Sequence, residues 1–366
     1  MPHPDVCIAG AGIIGLSLAL ELHHRGLRVT VFDQGAPLTE ASTAAAGMLA
    51  AADPDNPPQL RPLADLSLSL YPDFLERLHQ LSHLRVPFQT HTTLQSLPHH
   101  IPSQPNELTA SDLSHLLPAL VPAHHRFLLL DEHSLDPRQL APALHAAVRA
   151  TAIDLRLNTK VLYLHQTDLH QPKFQPTNIP QTNVEVQTSS GKLHAARFID
   201  CTGAWSNSLS PLHHLHVTPK KGQMLSITLP PKFPLHFVVR TPEIYIVPRT
   251  TGPSAGRAVI GATVEDAGFD KTLHPVDLDH LRTLASALIP PLAHTAQADA
   301  WAGLRPATSD GLPILGAYTS HPNHLIATGH YRNGILLAPA TAHVMTQLIA
   351  GETPSIDLAP FSPQRT

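Results

Sequence analysis

The stretch Asp5 to Asp33, DVCIAGAGIIGLSLALELHHRGLRVTVFD, constrains the fold more than any other part of the chain. It reads as a buried strand (Val6 to Ala9), a glycine turn, an amphipathic helix to about His24, and a second strand from Arg28 to Phe32. Gly10, Gly12 and Gly15 have G-x-G-x-x-G spacing and fall between strand and helix, where the pattern has a mechanism. One glycine makes the tight turn, one lets the backbone approach a pyrophosphate, and one lets the helix pack closely on the sheet. The helix N-terminus then presents unpaired N–H groups and the positive end of its dipole to the phosphates. Asp33 closes the second strand, where an acid accepts hydrogen bonds from ribose hydroxyls. The glycine spacing alone would also fit a plain Gly-rich connection. Strand, helix, second strand and acid together point to a dinucleotide site, without separating NAD from FAD.

The chain has 366 residues, a length that suggests about two domains. Charged residues make up only 14% of it, so surface polarity must come largely from its 27 His and from Asn, Gln, Ser and Thr. Thirty-seven prolines favour short, stiff connections. A formal net charge of −4 and the lack of a long basic run argue against nucleic acid as a partner. Cys7 and Cys201 cannot make a disulfide framework and read as inert thiols in or beside buried strands. MPHPD has no basic segment typical of a signal peptide, and no apolar run reaches the ~18–20 residues of a bilayer span. A cytoplasmic location without membrane attachment is expected.

After Asp33, the segment Ala41 to Met48 is dense in small residues. It is either a helix start on a tight packing surface or a place where backbone amides approach a flat cofactor. The latter reading selects FAD over NAD. DPDNPP (Asp53 to Pro58) breaks the chain, and a helical period follows from Leu63 to Leu81, with Leu66, Leu70, Phe74 and Leu78 on one face. Val86 to His133 reads as short strands and turns, the first pass through a second domain. Asp136-Pro137 opens a helix to about Ala150. A strand from Ile153 to Leu164, a polar loop from Gln166 to Asn183, and strands at Val184–Thr188 and Ala196–Cys201 follow. MLSITL, HFVVR, IYIVPR and AVIGAT between Met224 and Thr263 read as repeated strands, then Val276 to Leu288 as a helix. Leu325 to Thr328 reads as a buried strand that turns at residues 329–334 and enters a helix to about Ala350. Both ends of the chain thus resemble a nucleotide-binding layer, and the middle weaves out and back. The expected fold is α/β with an α+β second domain. The first domain comprises residues 1–80, 137–210 and 300–366, and the second comprises 81–136 and 211–299.

With these residues in place, ASTAAAGML, RFIDCTGAWS, GQMLSI, IYIVPR, IGAT, WAGLRPATSDGLPILG and GHYRNGILLAPATA resemble the D-amino-acid-oxidase-like flavoproteins, and most of all the glycine oxidases of thiamine biosynthesis. The resemblance runs from about Asp5 to Glu352. It implies a Rossmann-type FAD domain and a discontinuous substrate domain on an antiparallel sheet. It also implies oxidation of glycine or a related small amine or D-amino acid to an imine, hydrolysis to keto acid and ammonia, and hydrogen peroxide from oxygen. Carried over by position, it places Ile13 and Ile14 at the pyrophosphate turn and Asp33 and Gln34 at the adenosine ribose. Ala41, Ser42, Ala46, Gly47 and Met48 would line the cofactor, Val161 would meet the adenine, and His330, Tyr331, Arg332, Asn333, Gly334, Ile335 and Leu336 would wrap the flavin ring. Arg305 and Arg332 match substrate-contacting arginines, and Tyr245 matches the tyrosine over the substrate. Val264 and Glu243 depart from or vary within the family pattern and leave the amine open. Nothing after Cys201 is cysteine, so the FAD should be non-covalent.

The chemistry needs a hydride acceptor, a carboxylate anchor and a dry pocket. Flavin supplies the first, so no catalytic side chain beyond the flavin is required, and no metal is expected. Arg305 can hold a carboxylate through its planar fork, or it can be structural and pair with Asp310. Arg332 can contact substrate or order its own turn. Tyr245 can face the pocket or cap the sheet, and His330 reads as a turn-positioning residue rather than an acid or base. Competing readings are a flavin dehydrogenase that passes electrons to a quinone or carrier, a non-catalytic flavoprotein, and an NAD dehydrogenase, which leaves AAAGM and GHYRNG unexplained. A homo-oligomer stays open.

Overall fold

The computed structural model describes residues 3–97, 102–166, 184–209 and 216–365. Two large sheets carry the architecture. In the first, the strands run edge to edge as Ile314–Tyr318, His321–Thr328, Arg197–Asp200, Val6–Ala9, Val29–Phe32 and Asp154–Arg156. All neighbours are parallel except the edge pair Ile314–Tyr318 with His321–Thr328. In the second, the order is Gln297–Ala307, Thr218–Thr228, Arg257–Gly261, Tyr245–Arg249, Val238–Arg240, Thr93–Leu97 and Arg126–Leu130. This sheet is antiparallel except where Val238–Arg240 runs parallel to Thr93–Leu97. The fold is therefore the mixed α/β arrangement read from the sequence. The expected cut between residues 299 and 300 falls inside the strand Gln297–Ala307, which pairs with Thr218–Thr228 along its length.

The strand Val6–Ala9 and the helix Ile13–His24 fall where the glycine pattern places them. The helix is not amphipathic as expected: Ile13 to Leu20 and Leu22 are all buried. The helices Gly334–Ala350 and Pro137–Arg149 pack against it, which leaves it little free face. The helix Arg61–Ser82 buries Leu63, Ser67, Tyr71, Phe74 and Leu78, a stripe displaced from the expected one, so Leu66 and Leu70 lie at its margin. The displacement has a backbone cause. Pro339, inside Gly334–Ala350, lacks the N–H that would bond the carbonyl of Ile335. Tyr71 Oη donates to that carbonyl at 2.5 Å, and Ser67 Oγ bridges the Leu336 carbonyl and the Ala340 N–H. Two hydroxyls thus satisfy a proline-weakened buried helix.

Elsewhere the expected strand Ile153 to Leu164 is two strands, Asp154–Arg156 and Val161–Gln166, separated by Asn158 at φ 52°. The stretch Val86 to His133 also contains a helix, Ala110–Leu116, opened by a capping box between Thr109 and Asp112. Strands Gly191–Ala195 and Ile314–Tyr318 were not expected. Beyond Gln166, the loop expected to Asn183 lies outside the described residues. Among the described residues, no helix is long and apolar enough to cross a membrane.

Candidate active site

The first sheet ends in the glycine turn. Gly10 has φ 101°, and a Cβ there would strike the Cys201 carbonyl. A Cβ on Gly15 would strike the Gly10 carbonyl, so Gly15 serves helix packing and faces no cavity. Ser42 Oγ accepts from the Ile13 N–H at 2.9 Å, capping the helix from a separate segment. Asp33 accepts from the N–H groups of Ala11 at 2.7 Å and Gly35 at 2.8 Å, which fixes its carboxylate at the strand end. Gly47, at φ 85°, lies so close to the Leu135 carbonyl that no side chain fits.

A large cavity runs from this turn to the second sheet. Every residue expected at cofactor or substrate borders it except Gly15 and Leu336, the latter being buried in the core. Gly10, Gly12, Ile13, Ile14, Asp33, Gln34 and Val161 border one end, Ala41, Ser42, Ala46, Gly47 and Met48 one wall, and His330 to Ile335 another.

The far end is floored by one face of the second sheet. Arg240, Tyr245, Gly261, Met224 and Trp301 are successive cross-strand partners, so their side-chain positions share that face. Glycines keep the floor low. A Cβ on Gly261 would overlap the Tyr245 phenol, and a Cβ on Gly222 would overlap the Arg305 guanidinium. Tyr245 thus reaches across one neighbouring strand and Arg305 across another, and the two meet. Burial raises the Tyr245 phenol above the ordinary tyrosine range and the Arg305 guanidinium only partly offsets it, so the phenol stays a neutral donor. Trp301 Nε1 donates to the Ala44 carbonyl at 3.0 Å and ties the floor to the small-residue segment.

Arg305 Nη1 donates to the Thr263 carbonyl at 3.1 Å and lies 3.5 Å from the Lys221 carbonyl. No carboxylate pairs with it among the described residues. Asp310, its sequence-based alternative partner, pairs instead with Arg365 at 2.9 Å. The segment under Arg305 is held by Glu265, which accepts from Thr263 Oγ1, from Gln223 Nε2 at 2.9 Å, and ion-pairs with the fully buried Lys221 at 3.1 Å. Arg332 borders the cavity but is engaged by Asp53 at 3.4 Å and Asp55 at 3.6 Å. Asp53 also faces Arg240, which is buried against Glu132 at 2.9 Å and bonds Gln95. His330 Nε2 is 3.0 Å from Thr341 Oγ1, and burial pushes its pKa down to about 3, so it is neutral near pH 7. The sequence reading missed Gly222, Gly261, Arg240, Glu265 and Lys221. Only a paired-strand register could have found the two glycines, because nothing local marks them.

A mostly parallel sheet with a glycine turn, opening through a cavity onto a second, mostly antiparallel sheet, is the architecture of a dinucleotide-binding protein. The model of the FAD-dependent oxidoreductase family (DAO) matches residues 5–348, and the chain belongs to that family, with FAD as its cofactor. The close glycine approaches, the capped helix N-terminus and the fixed Asp33 fit that group. The chain is 32% identical to the glycine oxidase of Pseudomonas aeruginosa, with 98% of each covered. It is 36% identical to the bifunctional protein ThiO/ThiG of Trichormus variabilis, covering 94% of this chain, and it spans about half that relative's length (52%). The crystal structure of glycine oxidase from Geobacillus kaustophilus matches with a TM-score of 0.88 and 28% identity over 100% of both chains.

Proposed function

We propose that the chain oxidises glycine and related small N-alkyl glycines or D-amino acids, with oxygen as electron acceptor. FAD held along the glycine turn, Ala41 to Met48 and the 330–335 segment would supply a hydride acceptor for the substrate α-carbon and a route for the two electrons to oxygen, giving hydrogen peroxide. The resulting imine adds water and splits to the keto acid and the free amine, which is ammonia from glycine or a D-amino acid and the alkylamine from an N-alkyl glycine. The observation that carries this reading is the Arg305 guanidinium on the cavity floor, held by carbonyl oxygens and the Tyr245 hydroxyl, with no carboxylate against it among the described residues. An uncompensated fork of this kind suits a substrate carboxylate.

In this reading Arg305 binds the carboxylate and Tyr245 donates to it and walls the pocket. Arg332 orders its turn through Asp53 and Asp55, which narrows the substrate role expected for it. His330 stays neutral and positions the turn, so it offers no imidazolium to the reaction. The cofactor roles of the glycine turn, Asp33, Gln34, Ala41 to Met48, Val161 and the 330–336 segment belong to the same proposal. So do non-covalent attachment, the two-domain division, a cytoplasmic location and a supply of product to thiamine biosynthesis.

The test is peroxide release across glycine, sarcosine, N-ethylglycine, D-alanine, D-proline and L-amino acids. Glycine and its N-alkyl forms should be oxidised, with little turnover of L-amino acids. Preference for L-amino acids, or no peroxide with any amine, defeats the proposal.

A further inference from the structure

We propose that His124, His125 and Glu243 form a divalent transition-metal site of the zinc class on the rim of the cavity. Each residue offers one ligand atom, and the three atoms lie within 4.8 Å of one another. They come from two turns at the same end of the second sheet. One is the turn Pro122–His125 that leads into the strand Arg126–Leu130, and the other joins Val238–Arg240 to Tyr245–Arg249.

Both backbones are fixed. The His125 N–H donates to the Pro122 carbonyl at 2.8 Å, with Ala123 at φ 49°. The Thr241 N–H donates to the Ile244 carbonyl at 2.8 Å, and Thr241 Oγ1 accepts from the Glu243 N–H at 3.3 Å. The two imidazole rings stand on the same side of their turn, with centroids 4.3 Å apart and planes inclined by 33°.

His125 is the oriented member. Its Nδ1 lies 3.0 Å from the Oγ of fully buried Ser96, and its Nε2 lies 3.9 Å from Glu243 Oε2. With Nδ1–H donating to the serine, Nε2 presents a lone pair toward the carboxylate. A partner on the far ring nitrogen is how metal-binding histidines are commonly oriented. The 3.9 Å gap is too long for a hydrogen bond, but it is close to the separation of two ligands on one ion. Zinc bonds of about 2.0–2.2 Å place tetrahedral ligand atoms roughly 3.4 Å apart. With all three atoms within 4.8 Å, no gap needs to close by more than roughly 1.4 Å. Glu243, with its side chain 45% exposed, has room to move toward the His125 ring.

Two imidazoles and a carboxylate suit zinc or copper(II). Glu243 and Ser96 both border the cavity. An ion here would tie the two turns together at the mouth and slow passage of substrate. Binding itself does not depend on the oxidase reading, because it can be measured without turnover.

Tag-free holoenzyme, stripped with EDTA, should be titrated with zinc chloride by calorimetry. We expect one zinc per chain with affinity on the order of micromolar. His124→Ala, His125→Ala and Glu243→Gln should each weaken it at least about tenfold, with FAD retained as the check on folding. Zinc should also inhibit wild-type peroxide release reversibly, and His124→Ala should be resistant. Failure to bind zinc below about 100 µM, or unchanged affinity in all three variants, overturns the site. Binding at this site without inhibition overturns its effect on access.

Discussion

Gly222→Ala separates the carboxylate anchor from the stability of the fold. Gly222 lies on the strand Thr218–Thr228, outside the left-handed region, so alanine brings no backbone strain. The three atoms nearest a Cβ built there are Nη1, Nη2 and Cζ of Arg305, all closer than any real Cβ contact. These are the far end of a flexible side chain, so the guanidinium moves and the strand does not. Alanine in place of glycine at a compatible position also stabilises by about 0.4–1 kcal/mol through the unfolded chain. The net stability change should therefore stay within about 1 kcal/mol. The loss falls on substrate. A charge-assisted hydrogen bond contributes about 1.5–3 kcal/mol, so losing its alignment lowers kcat/KM for glycine roughly 10- to 150-fold. Peroxide release gives the rate, thermal unfolding gives the stability, and flavin absorbance gives the cofactor content. A small amine without a carboxylate is the control, and its slow oxidation should change far less. If the variant binds FAD and oxidises glycine within threefold of wild type, Arg305 is not the anchor.

Arg305→Ala should cost about 3 kcal/mol, roughly a hundredfold in kcat/KM for glycine, and Arg305→Lys should fall between it and wild type. Acid precipitation should release FAD into the supernatant. Both cysteines are buried, Cys7 with its thiol pushed up to about 12 and Cys201 well above the usual range, so neither offers a thiolate to the flavin. Flavin retained in the pellet would contradict this. His330 has a folded pKa below its unfolded value, so its contribution to stability is full above about 6.5 and is lost as pH falls toward 3. At about 1.4 kcal/mol per pH unit, the gap between wild type and His330→Asn should narrow by about 3 kcal/mol from pH 7 to pH 4 in denaturant titrations. A constant gap would refute it. Asp200 has the opposite sign: burial raises its carboxyl to about 6, so its burial penalises the native state as pH rises from about 4 to 6. Asp200→Asn should gain on wild type over that window, and no relative gain would contradict the sign.

Much of the fold was legible because its signals are local. The glycine spacing, the Asp136-Pro137 helix start and the alternating strands between Met224 and Gly261 each state their element within a few residues. The misreadings arose where a distant segment decided. The buried face of Arg61–Ser82 is set by a proline more than 250 residues later, whose missing N–H calls for Tyr71 and Ser67. The helix Ile13–His24 lost its polar face to helices from the middle and end of the chain. The strand Gln297–Ala307 went unread as a strand, because its partner lies about 80 residues earlier.

The site shows the same division between local position and distant partner. Sequence motifs placed two arginines at the cavity and gave both a claim on substrate. Asp53 and Asp55, from the segment that read as a simple chain break, engage Arg332. Asp53, with Glu132, also helps neutralise the buried Arg240. A guanidinium held by carboxylates has little net charge left for an anionic substrate. Arg305 has the carbonyl oxygens of Thr263 and Lys221 beneath it, in segments that the Glu265–Lys221 pair locks together, and carbonyls orient a cation without cancelling its charge. Arg305 therefore keeps both its fork and its positive charge for a ligand, whereas at Arg332 two acids have already claimed them.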